Sequence, residues 1–135
     1  MEKPYKKLDA WREAIDLTIT VSHETDDFPK EHLFQLSNQM RRAALRVASN
    51  FAEGAARQTK KKFANFLHIA QASLSELDTQ LEVAKRLNLL PEDQWMKFDA
   101  RVNHIDKLLT SVIKHVKSAK SQSPSPYTSP LPPHP

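Results

Sequence analysis

The sequence predicts an all-α fold: an antiparallel up-and-down four-helix bundle over residues 1–117, followed by a disordered Ser/Pro-rich tail over 118–135. Three observations lead to this prediction. Four segments repeat apolar residues at steps of three and four, which is the period of one helix face. Short connections with helix breakers separate these segments, and short connections favour antiparallel neighbours. A single glycine among 135 residues argues against the many tight turns of a β-protein.

The first helix is predicted from about Leu8 to His23, with Trp11, Ile15 and Thr18 on its apolar stripe. It ends before the segment Asp26-Asp27-Phe28-Pro29, because proline disfavours helical backbone in the residue that precedes it.

The second helix is predicted from about Glu31 to Glu53, and Gly54 follows at the position where a left-handed C-terminal cap is expected. Its apolar stripe consists of Leu33, Leu36, Met40, Ala43, Val47 and Phe51.

The third helix is predicted from an N-cap at Thr59 to about Asn88, and the fourth begins at Pro91. The stripe of the third helix is Phe63, Leu67, Ala70, Leu74, Leu77, Leu81 and Ala84. The stripe of the fourth helix is Trp95, Phe98, Val102, Ile105, Leu109, Val112 and Val116. From Ser118 onward the chain is rich in serine and proline, and such a composition neither propagates a helix nor fills a core.

Composition excludes several classes of function. The absence of cysteine removes disulfides, thiolate-bound zinc and thiol nucleophiles, and one glycine cannot build the glycine-rich loops that bind nucleotides. The histidines are scattered, without the Glu-x-x-His or His-Glu-x-x-His spacing of metal sites in helices. We therefore expect no enzyme activity, no metal and no cofactor. With neither a signal peptide nor an apolar run of membrane-spanning length, a cytoplasmic protein is expected.

Positive charge is concentrated in the middle of the chain, where residues 30–62 hold eight lysines and arginines against two carboxylates. We predict that this basic face binds nucleic acid, with structured RNA favoured over DNA. The candidate binding residues are Arg41, Arg42, Arg46, Arg57, Lys60, Lys61 and Lys62.

Two other interpretations of the same charges stay open. The face could be solvated, with Glu53 and Arg57 paired at a spacing of four residues. Alternatively, Arg42 and Glu53 could make subunit contacts, which would make the protein an interaction scaffold whose partner is another protein.

Apolar residues outside the predicted stripes indicate a homo-oligomer, because a lone bundle should keep its outer face polar. On the first helix, a second stripe about 100° from Trp11 and Ile15 is predicted to need covering by another copy. The candidate interface residues are Ala10, Ala14, Leu17, Val21, Phe34, Leu45, Ile69 and Val83.

Five stretches of the sequence stand out in order: Phe28-Pro29-Lys30, Gln39 to Ala44, Ser49 to Gly54, Phe63 to Ala70 and Ser73 to Leu81. In this order they resemble the bacterial four-helix-bundle proteins that are encoded by intervening sequences of 23S rRNA genes, also described as S23 ribosomal proteins. The similarity covers about Leu8 to Val116. Two positions depart from the pattern, since many relatives have proline at Ala48 and glycine at Ala72.

The resemblance implies a four-helix bundle, a homopentamer as in relatives, and membership of a family whose function is poorly defined. Related pentameric bundles serve as nucleic-acid-binding accessory proteins of reverse transcriptases in diversity-generating retroelements. This chain is more similar to the rRNA-intervening-sequence branch.

Overall fold

A computed structural model describes residues 4–118, except for the side chain of His32. A short 3-10 helix, Pro4–Lys7, leads into four α-helices: α1 Asp9–Thr25, α2 Lys30–Ala55, α3 Lys60–Arg86 and α4 Glu92–Lys117. Each helix packs on the next, and α1 also contacts α4, so the prediction of an all-α up-and-down bundle is confirmed. The predicted tail, apart from Ser118, lies outside the described residues. Within residues 4–118, no helix combines the length and apolarity that crossing a membrane requires.

The predicted stripe of α3 forms the centre of the bundle. All seven of its residues, from Phe63 to Ala84, are buried, and Phe63 meets Phe51 of α2 edge to face at 5.8 Å. Thr59 is the N-cap that the sequence predicts, because its Oγ1 accepts a hydrogen bond from the Lys62 backbone N–H at 3.3 Å.

The prediction for α1 is wrong in the choice of stripe. Ala10, Ala14, Leu17 and Val21 are 0–2% exposed and face the chain's own core. Trp11 and Ile15 are only partly buried and pack against the edge of that core. The four residues are therefore covered within one chain, and they do not form the outward stripe from which we predicted a subunit interface. Two small alanines allow α1 to approach the other helices closely on that side.

The predicted left-handed cap at Gly54 is also wrong. Gly54 lies inside α2 and has no positive φ. A left-handed residue instead follows α3: Asn88, with φ of 57°, is the only positive-φ residue in the described part of the chain. Its N–H bonds to the Lys85 carbonyl and the Leu89 N–H bonds to the Ala84 carbonyl, both at 3.0 Å. This pair of bonds is a Schellman motif, which ends α3 and satisfies two of its last carbonyls.

Candidate nucleic-acid interface

Arg41 has a structural role at the junction of α1 and α2. Its Nε donates to Thr25 Oγ1 at 2.9 Å, and its Nη2 lies 2.8 Å from Asp26 Oδ1. The guanidinium thus ties α2 to the C-terminal end of α1, and one of its edges is already occupied by a carboxylate. The guanidinium of Arg41 is therefore already engaged within the chain.

Two further arginines of the predicted set form ion pairs within the bundle. Arg46 Nη1 lies 3.4 Å from Glu76 Oε2 of α3. Arg57 Nη2 lies 2.8 Å from Glu53 Oε1, and its guanidinium sits 4.9 Å from the centre of the Phe66 ring. The predicted pairing of Glu53 with Arg57 is confirmed. All four charged side chains are roughly half exposed, and such pairs contribute only about 0.2–1 kcal/mol.

The remaining predicted residues form no ion pair within residues 4–118: Arg42, Lys60, Lys61 and Lys62. Arg42 lies on α2 twelve residues before Gly54, a separation of roughly 18 Å along the helix axis. The three lysines occupy the first turn of α3. Of these four residues, Arg42 therefore lies near the middle of α2 and the three lysines lie at one corner of the bundle.

The fold joins the lysine corner to charges that the sequence analysis did not select. Because the helices are antiparallel, the start of α1, the end of α2, the start of α3 and the end of α4 meet at one end of the bundle. We call this region the basic end and define it as residues 4–13, 53–62 and 114–118. Among these residues, nine cations face three carboxylates: Lys6, Lys7, Arg12, Arg57, Lys60, Lys61, Lys62, Lys114 and Lys117 against Asp9, Glu13 and Glu53.

The opposite end of the bundle carries the opposite charge. Residues 22–31 and 82–93 hold seven carboxylates and three lysines or arginines: Glu24, Asp26, Asp27, Glu31, Glu82, Glu92 and Asp93 against Lys30, Lys85 and Arg86. The bundle is thus polarised along its length, and an anionic polymer is attracted to one end only.

The seam between α3 and α4 is acidic at its middle. Burial raises the pKa of the Asp78 carboxyl, and the nearby carboxylates of Asp99, Glu82 and Asp106 raise it further. Nearby, the Lys85 ammonium lies 3.8 Å from the centre of the Trp95 ring. No group of three or more potential ligands in residues 4–118 is arranged to hold a metal ion. The carboxylates of this seam disfavour phosphate, whereas the basic end has an excess of positive charge, so the basic end is the candidate interface.

Four of the predicted oligomer-interface residues are exposed: Phe34 by 62%, Leu45 by 54%, Ile69 by 47% and Val83 by 43%. At 100° per residue, Phe34 and Leu45 point outward from α2, opposite Met40 and Val47, and Ile69 and Val83 point outward from α3. These four residues, two on each of two neighbouring helices, are together called the outer apolar face.

Comparison with known proteins gives one family and one fold. The family model described as 23S rRNA-intervening sequence protein matches residues 6–111. A crystal structure of a protein of unknown function from the S23 ribosomal protein family of Bacteroides thetaiotaomicron superposes with a TM-score of 0.72. The match has 23% sequence identity and covers 78% of this chain and 95% of that one. No curated protein matches the chain.

Proposed function

We propose that this chain, which belongs to the 23S rRNA-intervening sequence protein family, is a non-enzymatic module that binds nucleic acid through its basic end. The family's name links it to 23S rRNA sequences, so structured RNA is the first ligand to test. The solved relative has no known function, and the proposal therefore depends on the charges of this chain.

The observation that carries the proposal is that four helix ends, from three chain segments, meet in the basic end. Lys60, Lys61 and Lys62 lie beside the N-terminus of α3, where the partial positive charge of the helix adds to theirs. The basic end has nine cations and only three carboxylates, so most of its positive charge is uncompensated. Lysines of this kind bind phosphates as point charges, without reading bases, so we expect weak sequence specificity and strong dependence on salt.

The test is a fluorescence anisotropy titration of an rRNA stem-loop and of duplex DNA at two salt concentrations. If the protein contacts several phosphates, affinity falls with salt by roughly 0.7–0.9 logarithmic units per logarithmic unit of salt for each contact. We expect the charge reversal Lys61→Glu/Lys62→Glu to weaken binding at least tenfold at low salt, on the order of the loss of two phosphate contacts.

The matched control is Lys97→Glu/Lys107→Glu, which makes the same change in charge on exposed positions of α4 outside the basic end. It should lower affinity much less than Lys61→Glu/Lys62→Glu. Equal losses in the two variants would place the binding outside the basic end. Absence of binding by the wild-type chain at low salt would overturn the proposed function.

The outer apolar face supports a second candidate, a protein-interaction scaffold in which arginines make subunit contacts. Arg42 is exposed on α2, near Leu45 in sequence and on the same side of the helix. If Arg42→Ala dissociates an oligomer and leaves nucleic-acid binding unchanged, this candidate is favoured for Arg42. If the variant weakens RNA binding and leaves the assembly intact, Arg42 belongs to the nucleic-acid interface.

A further inference from the structure

A surface cleft of about 470 Å³ lies between α3 and the last two turns of α4. It is lined by His68 and Gln71 of α3, by Thr110, Ile113, Lys114 and Lys117 of α4, and by Ser118. His68 is seven residues after Lys61, which places the two residues on the same side of α3 about 10 Å apart along its axis. The cleft therefore continues from the basic end along α3.

One of the two ammonium groups of the cleft is positioned by a neighbouring side chain. Lys117 Nζ lies 2.8 Å from His68 Nε2, and in this contact the ammonium donates to the imidazole. An ammonium has three N–H groups, so this bond holds the lysine head beside the cleft and leaves further donors. Lys114 lies three residues earlier on the same face of α4 and has no ion pair within the described residues.

Hydrogen bonds hold the uncharged polar side chains that line the cleft. Gln71 Nε2 donates to Thr110 Oγ1 at 2.9 Å and to Asp106 Oδ1 at 3.3 Å. The Ser118 hydroxyl donates to the His115 carbonyl at 2.7 Å. Ile113 supplies an apolar wall. The Asp106 carboxylate is bound to Gln71 but is not among the lining residues, so no carboxylate lines the cleft beside its two ammonium groups.

We infer that this cleft binds a phosphate group of nucleic acid, held by the ammonium groups of Lys114 and Lys117 with His68 positioning Lys117. A phosphate group has several oxygens that accept hydrogen bonds. Two lysines on one helix face can bind them together, because an ammonium group acts as a point charge and does not require one fixed direction of approach. This inference rests on the proposed function and adds to it one defined phosphate position, about 10 Å from Lys61 along α3. The phosphate is either internal to the strand or at its 5′ end.

The experiment uses the full chain and the same stem-loop RNA with a 5′-phosphate or a 5′-hydroxyl. We expect Lys114→Gln/Lys117→Gln to weaken binding about tenfold and to lower the logarithmic salt slope by roughly 0.7–0.9, the value for one phosphate contact. The control Lys97→Gln/Lys107→Gln removes two lysines from the same helix and should leave the slope unchanged. An effect seen with the 5′-phosphorylated RNA alone assigns the cleft to a terminal phosphate, and an equal effect on both RNAs assigns it to an internal one.

A second measurement tests the phosphate site in the cleft independently of RNA binding. In NMR titrations with inorganic phosphate, the His68 ring signals should shift in a saturable way in the wild type and not in Lys114→Gln/Lys117→Gln, while those of the exposed His104 stay constant. If Lys61→Glu/Lys62→Glu weakens RNA binding but Lys114→Gln/Lys117→Gln does not, the phosphate site in the cleft is overturned and the proposed function stands. If the wild type binds no RNA, the proposed function fails. If inorganic phosphate also leaves the His68 signals unchanged, the phosphate site in the cleft is overturned as well.

Discussion

At the scale of single residues, Gly54 sets the distance between α2 and α3. A Cβ built at this position would lie 2.6 Å from Phe66 Cβ, 3.0 Å from Phe63 Cδ1 and 3.2 Å from the Phe63 carbonyl oxygen. The closest of these atoms is fixed to the backbone of α3, so no rotation of a side chain relieves the contact. The glycine therefore serves a close approach of two helices and not a turn.

We expect Gly54→Ala to destabilise the protein. In a helix interior alanine is normally better than glycine by about 0.5–1 kcal/mol. Here the crowding of α3 should outweigh that gain, because overpacking of a core costs about 1–3 kcal/mol. Chemical denaturation should show a net loss of about 1–2 kcal/mol in the free energy of unfolding.

Ser49→Ala, at an exposed position of the same helix, is the matched control and should change stability by less than about 0.5 kcal/mol. A Gly54→Ala variant that is as stable as the wild type would show that α2 and α3 separate at little cost.

At the scale of helices, the sequence predicts the core face of α3 well, because a large apolar residue recurs at most of its turns and all seven predicted residues are buried. The prediction for α2 is weaker at the start of the helix, where Leu33 is only partly buried and Ser37 is buried. On α1 the large residues Trp11 and Ile15 suggest the core face, whereas Ala10 and Ala14 occupy it. Residue size is a poor guide there, because helix packing depends on how closely the backbones approach. The prediction of a helix cap at Gly54 is wrong for a related reason: the role of this glycine depends on Phe66, a residue of another helix.

The acidic seam between α3 and α4 makes stability depend on pH. Burial and then the carboxylates of Asp99, Glu82 and Asp106 raise the pKa of Asp78 in the folded state above its ordinary value of 3.8. The folded chain therefore holds the Asp78 proton more tightly than the unfolded chain. The resulting penalty is complete above the raised pKa and disappears as the pH falls below the ordinary one.

We expect Asp78→Asn to raise the free energy of unfolding at pH 7 by a few tenths of a kcal/mol. This is the usual cost of two like charges four residues apart on one helix, as Asp78 and Glu82 are. The gain should shrink on acidification and vanish below about pH 4, as thermal melts across that range would show. Asp16→Asn, on the exposed side of α1, removes the same charge away from the seam. If both variants gain equally, the effect is one of net charge and the seam is not its cause.

At the scale of the whole molecule, the outer apolar face predicts self-association, and the expected homopentamer remains a prediction. Leu45→Glu/Ile69→Glu puts carboxylates on two exposed residues of this face. Because burial of one such side chain is worth about 1.5–3 kcal/mol, the dissociation constant should rise at least tenfold. Light scattering at low micromolar concentration should then report the 15.4 kDa monomer for this variant.

Met96→Glu, an equally exposed apolar position on α4, is the control and should leave the assembly intact. A wild-type chain that is monomeric under the same conditions would remove the prediction of an oligomer.

The candidate site could be predicted in part from sequence. Lys60, Lys61 and Lys62 are adjacent in the chain and were found by their local charge. Lys114 and Lys117 are more than fifty residues away and join them only through the antiparallel path of α3 and α4. The predicted antiparallel topology implies that these lysines lie at the same end of the bundle. A count of charges along the chain does not show this, because it compares only residues that are close in sequence. Which arginines are paired, as Arg41 is with Asp26, depends on side-chain geometry between helices.

The polarised charge of the bundle has a consequence for any ring of copies whose axis runs parallel to the helices. Every subunit would present its cationic tip on the same rim and its anionic tip on the other. A long RNA could then touch several subunits at once, and tethering by the first contact would raise the effective concentration for the next, so that modest individual affinities multiply into avidity. The opposite rim would stay free of RNA and open to a cationic partner.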